Sequence, residues 1–398
     1  MHEAEGVAQR TEPRRVLVVA GEASGDRYGA GLMDAVHQMA PGIVFTGIGG
    51  RAMRDAGLES LLDAERIAVM GFVEILSSLR VLREAFRRCV AEMTSPSPPD
   101  LVVLIDYPGF NLRLAREARR AGIPVVYFVS PQVWAWKPGR VRSIAACVDR
   151  MLVIFPFEEA FYKERGVSVT YVGHPLIDLL ARENARHPRE EAARRLGVDP
   201  ARRFVGLLPG SRLKEVRRNL PPMLGAARLL SAQIPGLSFL LPVASTLRRE
   251  TLAPIVEGHD VTLTDGDFYE TVGLCEAAIV SSGTATMELG LMAIPMVIVY
   301  RLNPLTYQLA RRMTHLDTFG MVNLVAGRLI VPELIQADCT ATRIATEAGR
   351  LLSDRVLYER MRRDLRSLRE KLGGPGAFRR AAEAAVETLR AGRRPVAP

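Results

Sequence analysis

The chain has 398 residues, of which 48% are hydrophobic and 24% are charged, and its net charge is +9. This composition is typical of a globular protein with room for two domains of ordinary size. Nucleic acid is not favoured as a partner, because the arginines are scattered, aromatic residues make up only 6% and no nucleic-acid-binding motif is present. The positive charge therefore favours phosphorylated substrates or phospholipid headgroups.

The cysteines and histidines indicate neither a metal site nor a disulfide framework. The four cysteines are far apart and form no CxxC pair, and the six histidines show no HExxH spacing. A reducing cytoplasm fits this cysteine usage. No apolar run approaches the ~20 residues of a membrane-spanning helix. Residues 1–15 lack the apolar core of a signal peptide, and we expect them to form a disordered extension.

The first half of the chain alternates apolar runs with helical segments. The apolar runs predict five strands, at residues 15–20, 43–50, 101–106, 123–130 and 150–157. Helices are predicted at residues 27–39, 67–88 and 112–121. This alternation is typical of a parallel sheet covered by helices on both faces.

A second series of strands begins after residue 200, at 204–210, 237–243, 261–265, 277–282 and 296–300. We place the domain boundary near His174–Pro175. The sequence therefore predicts an α/β protein of two doubly wound domains facing a central cleft, where ligands of such sheets usually bind. The predicted parts are 16–174, 175–340 and a helical tail at 341–398, which would pack on the first domain or be exchanged in a dimer.

The stretch AAIVSSGTATMELGLMAIP (277–295) is the clearest candidate for an anion site. It predicts a buried strand, a small-residue loop and a helix from about Thr284 to Met292. The loop would direct backbone N–H groups and the helix dipole at an anion such as a diphosphate. Glu288 could accept the two vicinal hydroxyls of a ribose. The alternative is an ordinary βα turn with a solvated glutamate.

The stretch LLPGSRLKEV (207–216) predicts a second phosphate-binding turn. Gly210 and Ser211 would expose backbone donors, and Arg212 supplies a planar cation suited to a phosphate. The GxxxxGK[ST] pattern is absent, so ATP hydrolysis is not indicated. The GIGGRA turn (47–52) matches the dinucleotide fingerprint only weakly, because it follows the second strand and precedes a short helix.

The end of the third strand offers a candidate general base. Asp106 lies at the carboxyl end of this buried strand, at the mouth of the predicted cleft. The alternative is that Asp106 caps the next helix or pairs with an arginine, although Asn111 is better placed as the cap. In the GEASGD turn (21–26), Ser24 and Asp26 could cap a helix, whereas Glu22 is harder to explain as a cap.

The segment 67–88 predicts one long helix that is apolar around more of its circumference than a core face needs. The safer interpretation is a helix buried in the core. The excess apolar surface with adjacent arginines also fits an interfacial segment on anionic lipid. The loop SPQVWAWKPGR (130–140) carries both tryptophans and would form a packed loop or a rigid substrate wall.

Several irregular stretches together resemble the lipid-A-disaccharide synthase family. They appear in family order and extend from Arg15 to about Cys339. The stretches are GEASGD, IDYPGFN, SPQVWAWKPGR, VGHPLID, LLPGSRxxE, SSGTATMELGLMAIPMV with the following tyrosine, and MVNLVAGR (321–328). So many matches are far more specific than any single motif.

The resemblance implies an inverting GT-B glycosyltransferase with two Rossmann-like domains, no metal requirement and no cofactor. Its donor would be UDP-2,3-diacylglucosamine and its acceptor 2,3-diacylglucosamine 1-phosphate, called lipid X. The products would be the β-1,6-linked lipid A disaccharide 1-phosphate and UDP, in lipopolysaccharide biosynthesis of a Gram-negative bacterium. It also implies a peripheral protein on the cytoplasmic face of the inner membrane, and homodimers with exchanged C-terminal segments.

The resemblance also assigns roles to individual residues. On the donor side, UDP would contact Gly210, Ser211, Arg212, Glu215, Ser282, Gly283, Thr284, Glu288 and Asn323. Arg212 would offset the charge of the leaving diphosphate. On the acceptor side, Asp106 would take the proton from the 6-hydroxyl, with Glu22 the next candidate for this role and Ser24 in the same acceptor-side loop. If segment 67–88 is interfacial, as its own pattern allows, the lipid-facing residues would be Met70, Phe72, Ile75, Leu79 and Arg80.

Two other functions remain open from the sequence. A UDP-sugar 2-epimerase uses the same architecture but needs no acceptor. A non-enzymatic membrane-binding scaffold would use the apolar, basic helix, but it would leave Arg212 and Glu288 unexplained.

Overall fold

The computed structural model describes residues 13–63, 75–136, 138–182, 188–244, 246–266, 268–302 and 318–392. They divide into two compact units. The first unit holds the described residues up to Val172 together with those from Gly376 onward, and the second unit spans Gly173–Pro375.

Seven strands form the sheet of the first unit. They are β1 (Arg15–Ala20), β2 (Val44–Gly49), β3 (Glu59–Asp63), β4 (Leu101–Ile105), β5 (Val125–Phe128), β6 (Arg150–Val153) and β7 (Val169–Tyr171). Every neighbouring pair is parallel, in the order β3-β2-β1-β4-β5-β6-β7. β4 and β5 are buried along their whole length, which explains why their sequences are apolar without alternation.

Helices flank this sheet. They are α1 (Ala23–Met39), α2 (Arg51–Asp55), α3 (Ile75–Met93), α4 (Pro108–Arg120), α5 (Val133–Trp136), α6 (Val141–Cys147) and α7 (Pro156–Lys163). Two helices begin four residues before the predicted start. For α4 the reason is Pro108, whose fixed φ and missing N–H suit the first turn of a helix.

The second unit has a six-stranded parallel sheet. Its strands are β8 (Arg203–Leu208), β9 (Leu237–Pro242), β10 (Val261–Thr264), β11 (Cys275–Ser281), β12 (Met296–Tyr300) and β13 (Glu333–Ile335), in the order β10-β9-β8-β11-β12-β13. Its first helices are α8 (Pro175–Arg182), α9 (Arg189–Arg195), α10 (Leu213–Gln233), α11 (Arg249–Val256) and α12 (Phe268–Gly273). They are followed by α13 (Thr284–Leu291), α14 (Met321–Ala326), α15 (Ala341–Ser353) and α16 (Arg355–Lys371).

The predicted helical tail is divided between the units. α15 and α16 belong to the second unit, whereas α17 (Ala377–Ala391) belongs to the first and packs on α1. The ring of Phe378 lies against Gly31, where an added Cβ would come within 2.5 Å of it. Arg380 Nε donates to the carbonyl of Val172 at 2.8 Å, and Arg150 pairs with Glu387 at 2.6 Å.

In each sheet, the direction in which successive strands are added reverses once. In the first unit the chain places β2 and β3 on one side of β1 and β4 onward on the other; in the second unit it reverses between β8 and β11. Crevices at such reversals bind the ligands of open α/β sheets. We call the carboxyl ends of β1 and β4 the first switch point, and those of β8 and β11 the second switch point.

Candidate active site

The first switch point brings together two turns that the sequence singled out. Ala20 of β1 lies opposite Ile105 of β4, so Gly21 and Asp106 follow at the same edge of the sheet. The ring of Tyr107 lies over Gly21, and an added Cβ at Gly21 would come within 2.5 Å of this ring. The absence of a side chain at Gly21 therefore lets the two turns approach each other.

Asp106 is half-buried at this edge and has φ of 46°, in the left-handed region that non-glycine residues rarely adopt. The expectation that Asn111 is the better-placed cap of the next helix is wrong. α4 already begins at Pro108, and Asn111 lies fully buried inside it. Glu22 immediately precedes α1, and its carbonyl accepts the N–H of Asp26 at 2.9 Å.

The Asp26 side chain accounts for the GIGGRA turn. Its carboxylate accepts backbone N–H groups from Gly50 at 2.7 Å and from Ala52 and Met53 at 3.0 Å each. These donors surround the start of α2, where a dinucleotide site would hold its pyrophosphate. The Asp26 carboxylate therefore occupies the position that the anion of a ligand would take at this turn. It caps α2 rather than α1.

The second switch point carries the two glycine turns of the second unit. Gly210 follows β8 with φ of 119°, and an added Cβ there would lie 2.5 Å from Glu215 Oε2. Ser211 and Arg212 are exposed, and Arg212 is the residue before α10. The guanidinium of Arg212 lies 3.4 Å from the Glu215 carboxylate. Glu215 therefore lies between the glycine turn and the guanidinium of Arg212, the cation predicted to meet a phosphate.

The turn after β11 consists of Ser282, Gly283 and Thr284. Gly283 and Thr284 are exposed, and α13 begins at Thr284, as predicted. The Thr286 hydroxyl donates to the carbonyl of Gly283 at 2.7 Å. This bond fixes the turn next to the positive end of α13, where an anion is stabilised.

Glu288 lies on the second turn of α13 and is only 7% exposed. Its Oε1 accepts the hydroxyl of Tyr269, which is also buried, at 2.8 Å. The alternative of a solvated glutamate is therefore wrong. A buried carboxylate is costly unless it is hydrogen-bonded, and Tyr269 supplies one such bond.

Asn219 was missed by the sequence reasoning. It is fully buried on α10, and its Nδ2 donates to the carbonyl of Pro209 at 3.1 Å and to Ser281 Oγ at 3.0 Å. Its Oδ1 accepts the N–H of Arg301 at 3.1 Å. One amide thus joins the carboxyl ends of β8, β11 and β12. In the sequence it follows Arg217 and Arg218 in a helical pattern, with no signal for this role.

Asn323 is buried on α14, and its side chain holds the segment that leads from this helix to β13. Its Nδ2 donates to the carbonyl of Val331 at 2.9 Å and to Glu333 Oε1 at 2.7 Å, and its Oδ1 accepts the N–H groups of Ile330 and Val331. Both ends of this amide bind within the second unit, to the loop after α14 and to the first residue of β13. Any support that Asn323 gives a nucleotide would therefore act through the position of this loop.

The tryptophan loop of the first unit is anchored by a buried carboxyl that the sequence reasoning also missed. Glu158 is 1% exposed, and its two oxygens accept Trp134 Nε1–H and the N–H of Phe155, each at 3.1 Å. Burial raises the pKa of Glu158 to about 7, although these hydrogen bonds oppose the change. The group is therefore protonated below about pH 7 and ionised above it.

We expect Trp134 fluorescence to titrate with Glu158. In a Trp136→Phe variant, Trp134 is the only tryptophan, and its emission should change with a midpoint near pH 7 because the bonded carboxyl changes charge there. Adding Glu158→Gln should abolish the transition, whereas Glu159→Gln, at the half-buried neighbour, should preserve it. A midpoint near 4.5 would show that Glu158 is solvated.

The predicted membrane helix is described only in part. Met70 and Phe72 lie outside the described residues, as do the side chains of Ile75 and Leu79. α3 begins at Ile75, and Arg80 is exposed on it. Arg83, Arg87 and Arg88 are also exposed, while Ala85, Cys89 and Met93 are buried in the core. The described part of α3 therefore has a core face and a basic face.

Two features are absent from the described part of the chain. No group of three or more histidine, cysteine, aspartate or glutamate side chains there could hold a metal ion. None of the described helices combines the length and the apolar character needed to cross a bilayer.

Solved structures with this arrangement define the class of fold. A UDP-GlcNAc 2-epimerase from Neisseria meningitidis, bound to UDP-GlcNAc, matches with a TM-score of 0.61 and 15% identity, covering 95% of this chain and all of that one. CalG4, the calicheamicin glycosyltransferase, matches with a TM-score of 0.58 and 17% identity, covering 98% and 100%. The predicted GT-B fold is thus confirmed.

Sequence comparisons identify the family. Lipid-A-disaccharide synthases from Trichlorobacter lovleyi, Geobacter sulfurreducens and Myxococcus xanthus are 48%, 47% and 44% identical to this chain. The matches cover 93%, 94% and 96% of this chain, and 96%, 97% and 100% of those relatives. The family model for lipid-A-disaccharide synthetase matches residues 16–387. The chain belongs to this family, and the predicted resemblance is confirmed.

Proposed function

We propose that the chain transfers 2,3-diacylglucosamine from UDP-2,3-diacylglucosamine to lipid X. The products are the β-1,6-linked lipid A disaccharide 1-phosphate and UDP. The observation that carries the proposal is the family match over residues 16–387, which includes both switch points. The 2-epimerase alternative is not favoured, because its solved structure shares only 15% identity with this chain and supports the fold alone.

The proposed donor site is at the second switch point. The diphosphate would lie over Gly210, Ser211 and the Ser282–Thr284 turn, where two helices begin. Arg212 would stabilise the negative charge that develops on the leaving UDP, and Glu215 would hold this guanidinium near the turn. Glu288 would accept the ribose hydroxyls while keeping its bond to Tyr269.

The proposed acceptor site is at the first switch point. The 6-hydroxyl oxygen of lipid X attacks the anomeric carbon of the donor sugar from the face opposite UDP. As this bond forms, the Asp106 carboxylate takes the hydroxyl proton, and the bond from the anomeric carbon to the diphosphate oxygen breaks. UDP leaves with the electron pair, so the configuration is inverted. Glu22 and Ser24 adjoin this edge and would help to hold the acceptor.

We infer that the protein works as a peripheral protein on the cytoplasmic face of the inner membrane, and as a homodimer. Both substrates are acylated, and the exposed arginines of α3 suit an anionic lipid surface. Met70, Phe72, Ile75 and Leu79 would supply the apolar contact beside Arg80. Family membership supports the dimer.

Incubation with the two purified lipid substrates tests the function. Mass analysis should show the disaccharide 1-phosphate together with stoichiometric UDP, and omission of lipid X should abolish UDP release. Conversion of the UDP-sugar into an isomer without an acceptor would support the epimerase instead.

Gly283→Ala should weaken UDP binding without lowering the melting temperature. A Cβ at Gly283 meets no described atom within 4 Å, and its φ of 163° is extended, so alanine fits the protein alone. A diphosphate packed on this turn would clash with the new methyl group, and this clash should weaken the binding free energy of UDP by roughly 1–3 kcal/mol.

The matched control is Gly273→Ala, also in the second unit, where an added Cβ has no described neighbour within 4 Å. It should leave both the melting temperature and the UDP affinity near wild type. Calorimetry that finds wild-type UDP affinity in Gly283→Ala would show that the diphosphate does not approach this turn.

A further inference from the structure

Backbone strain is concentrated at the first switch point and at the adjacent carboxyl end of β5. Among the described residues, five non-glycine residues have positive φ, and three of them lie at this edge: Asp106 (46°), Tyr107 (50°) and Val129 (65°), which follow β4 and β5. A β-branched residue such as valine is a genuine outlier there. Such conformations persist only where the surrounding structure enforces them, and they cluster at functional sites.

Two buried side chains enforce the conformation of Asp106. Its carbonyl oxygen accepts the Tyr127 hydroxyl at 2.6 Å and Asn111 Nδ2 at 2.7 Å, while its N–H donates to the carbonyl of Phe128 at 3.0 Å. The peptide groups on both sides of the Asp106 Cα are thus fixed. Because the backbone conformation sets the direction of the Cα–Cβ bond, these contacts also set the direction in which the Asp106 side chain leaves the backbone.

Neither side chain is placed to touch a substrate. Tyr127 and Asn111 are both 0% exposed. Burial raises the pKa of the Tyr127 phenol well above its ordinary value, so its hydroxyl remains a donor at every working pH. Asn111 Nδ2 also lies 3.1 Å from the carbonyl of Ile105, which ties the same amide to the end of β4.

The next residue is held by the neighbouring turn. Tyr107 follows Asp106 in the same left-handed conformation, and its ring fills the space above Gly21. A side chain at Gly21 would displace this ring and, through it, the peptide that follows Asp106. Gly109, three residues beyond Asp106, is different, because an added Cβ there meets no described atom within 4 Å.

We propose that Tyr127 and Asn111 are positioning residues that hold the Asp106 backbone in its left-handed conformation, so that the carboxylate meets the acceptor hydroxyl. This inference rests on the role of Asp106 in the proposed function. Tyr127 and Asn111 act only through Asp106. Their removal should therefore lower the rate of proton removal while leaving binding of the UDP-sugar unchanged.

A double-mutant cycle on the full chain tests the proposal. Tyr127→Phe removes one bond to the Asp106 carbonyl, and kcat should fall about tenfold, with KM for the UDP-sugar unchanged. In an Asp106→Asn background the same change should have almost no further effect, since the group it positions is gone. The matched control is Tyr358→Phe, which loses a hydroxyl bond to the carbonyl of Glu276 in the second unit. Its kcat should be unchanged.

A second pair of variants covers the case in which Tyr127→Phe loses stability. Gly21→Ala should lower kcat because of the displaced Tyr107, again without a further loss in the Asp106→Asn background. Gly109→Ala should keep wild-type turnover. Equal losses in both backgrounds, or normal kcat in Tyr127→Phe and Gly21→Ala, would overturn the positioning role. Normal turnover in Asp106→Asn itself would instead overturn the proposed base.

Discussion

Replacing Asp106 by asparagine should lower turnover by about 10²- to 10⁴-fold. An alcohol is a poor nucleophile until its proton is being removed, and general-base assistance contributes a factor of this size. Asparagine keeps the size and much of the hydrogen bonding of aspartate but cannot accept the proton.

UDP affinity and the melting temperature serve as the controls for Asp106→Asn. Both should stay near wild type, since the proposed donor site is built from the second unit and the backbone bonds of residue 106 do not use its side chain. Normal turnover in this variant would reassign the base, with Glu22 the next candidate to replace.

Replacing Glu288 by alanine should weaken UDP binding strongly. Each hydrogen bond to a charged partner is worth roughly 1.5–3 kcal/mol, so the loss of even one ribose contact should raise Kd about tenfold or more. Isothermal titration calorimetry with UDP measures this directly.

Comparison with Tyr269→Phe separates the contribution of Glu288 to ribose binding from its contribution to protein stability. It removes the buried bond between Tyr269 and Glu288 but leaves the carboxylate in place. Both variants should lose some stability, whereas only Glu288→Ala should lose most of its UDP affinity. If Glu288→Ala binds UDP as wild type does, Glu288 has a structural role only.

The sequence predicted the two-sheet architecture because ten of the thirteen described strands are apolar runs with clear boundaries, whereas β3, β7 and β13, which are short and partly polar, were missed. The helix starts were less accurate, since α4 begins at Pro108 rather than near Leu112. The proposed site residues lie mainly on local motifs at strand ends, which sequence patterns detect well. Their roles are still predictions.

The contacts that support these motifs join residues far apart in the sequence. Asn219 holds Ser281, 62 positions away, and Tyr127 holds Asp106, 21 positions away. Tyr127 stands in an apolar run and Asn219 follows two arginines in a helical pattern, so nothing local reveals the partner of either residue. Asp26 was misassigned for the same reason, since its N–H donors are at least 24 positions further on.

The return of α17 to the first unit has a consequence for biosynthesis. The bond from Arg380 to Val172 spans 208 positions, and the whole second unit is translated between them. On the ribosome, the face of α1 that receives Phe378 therefore stays uncovered until the second unit has emerged. The first unit therefore cannot be completed during synthesis before the whole second unit has been translated.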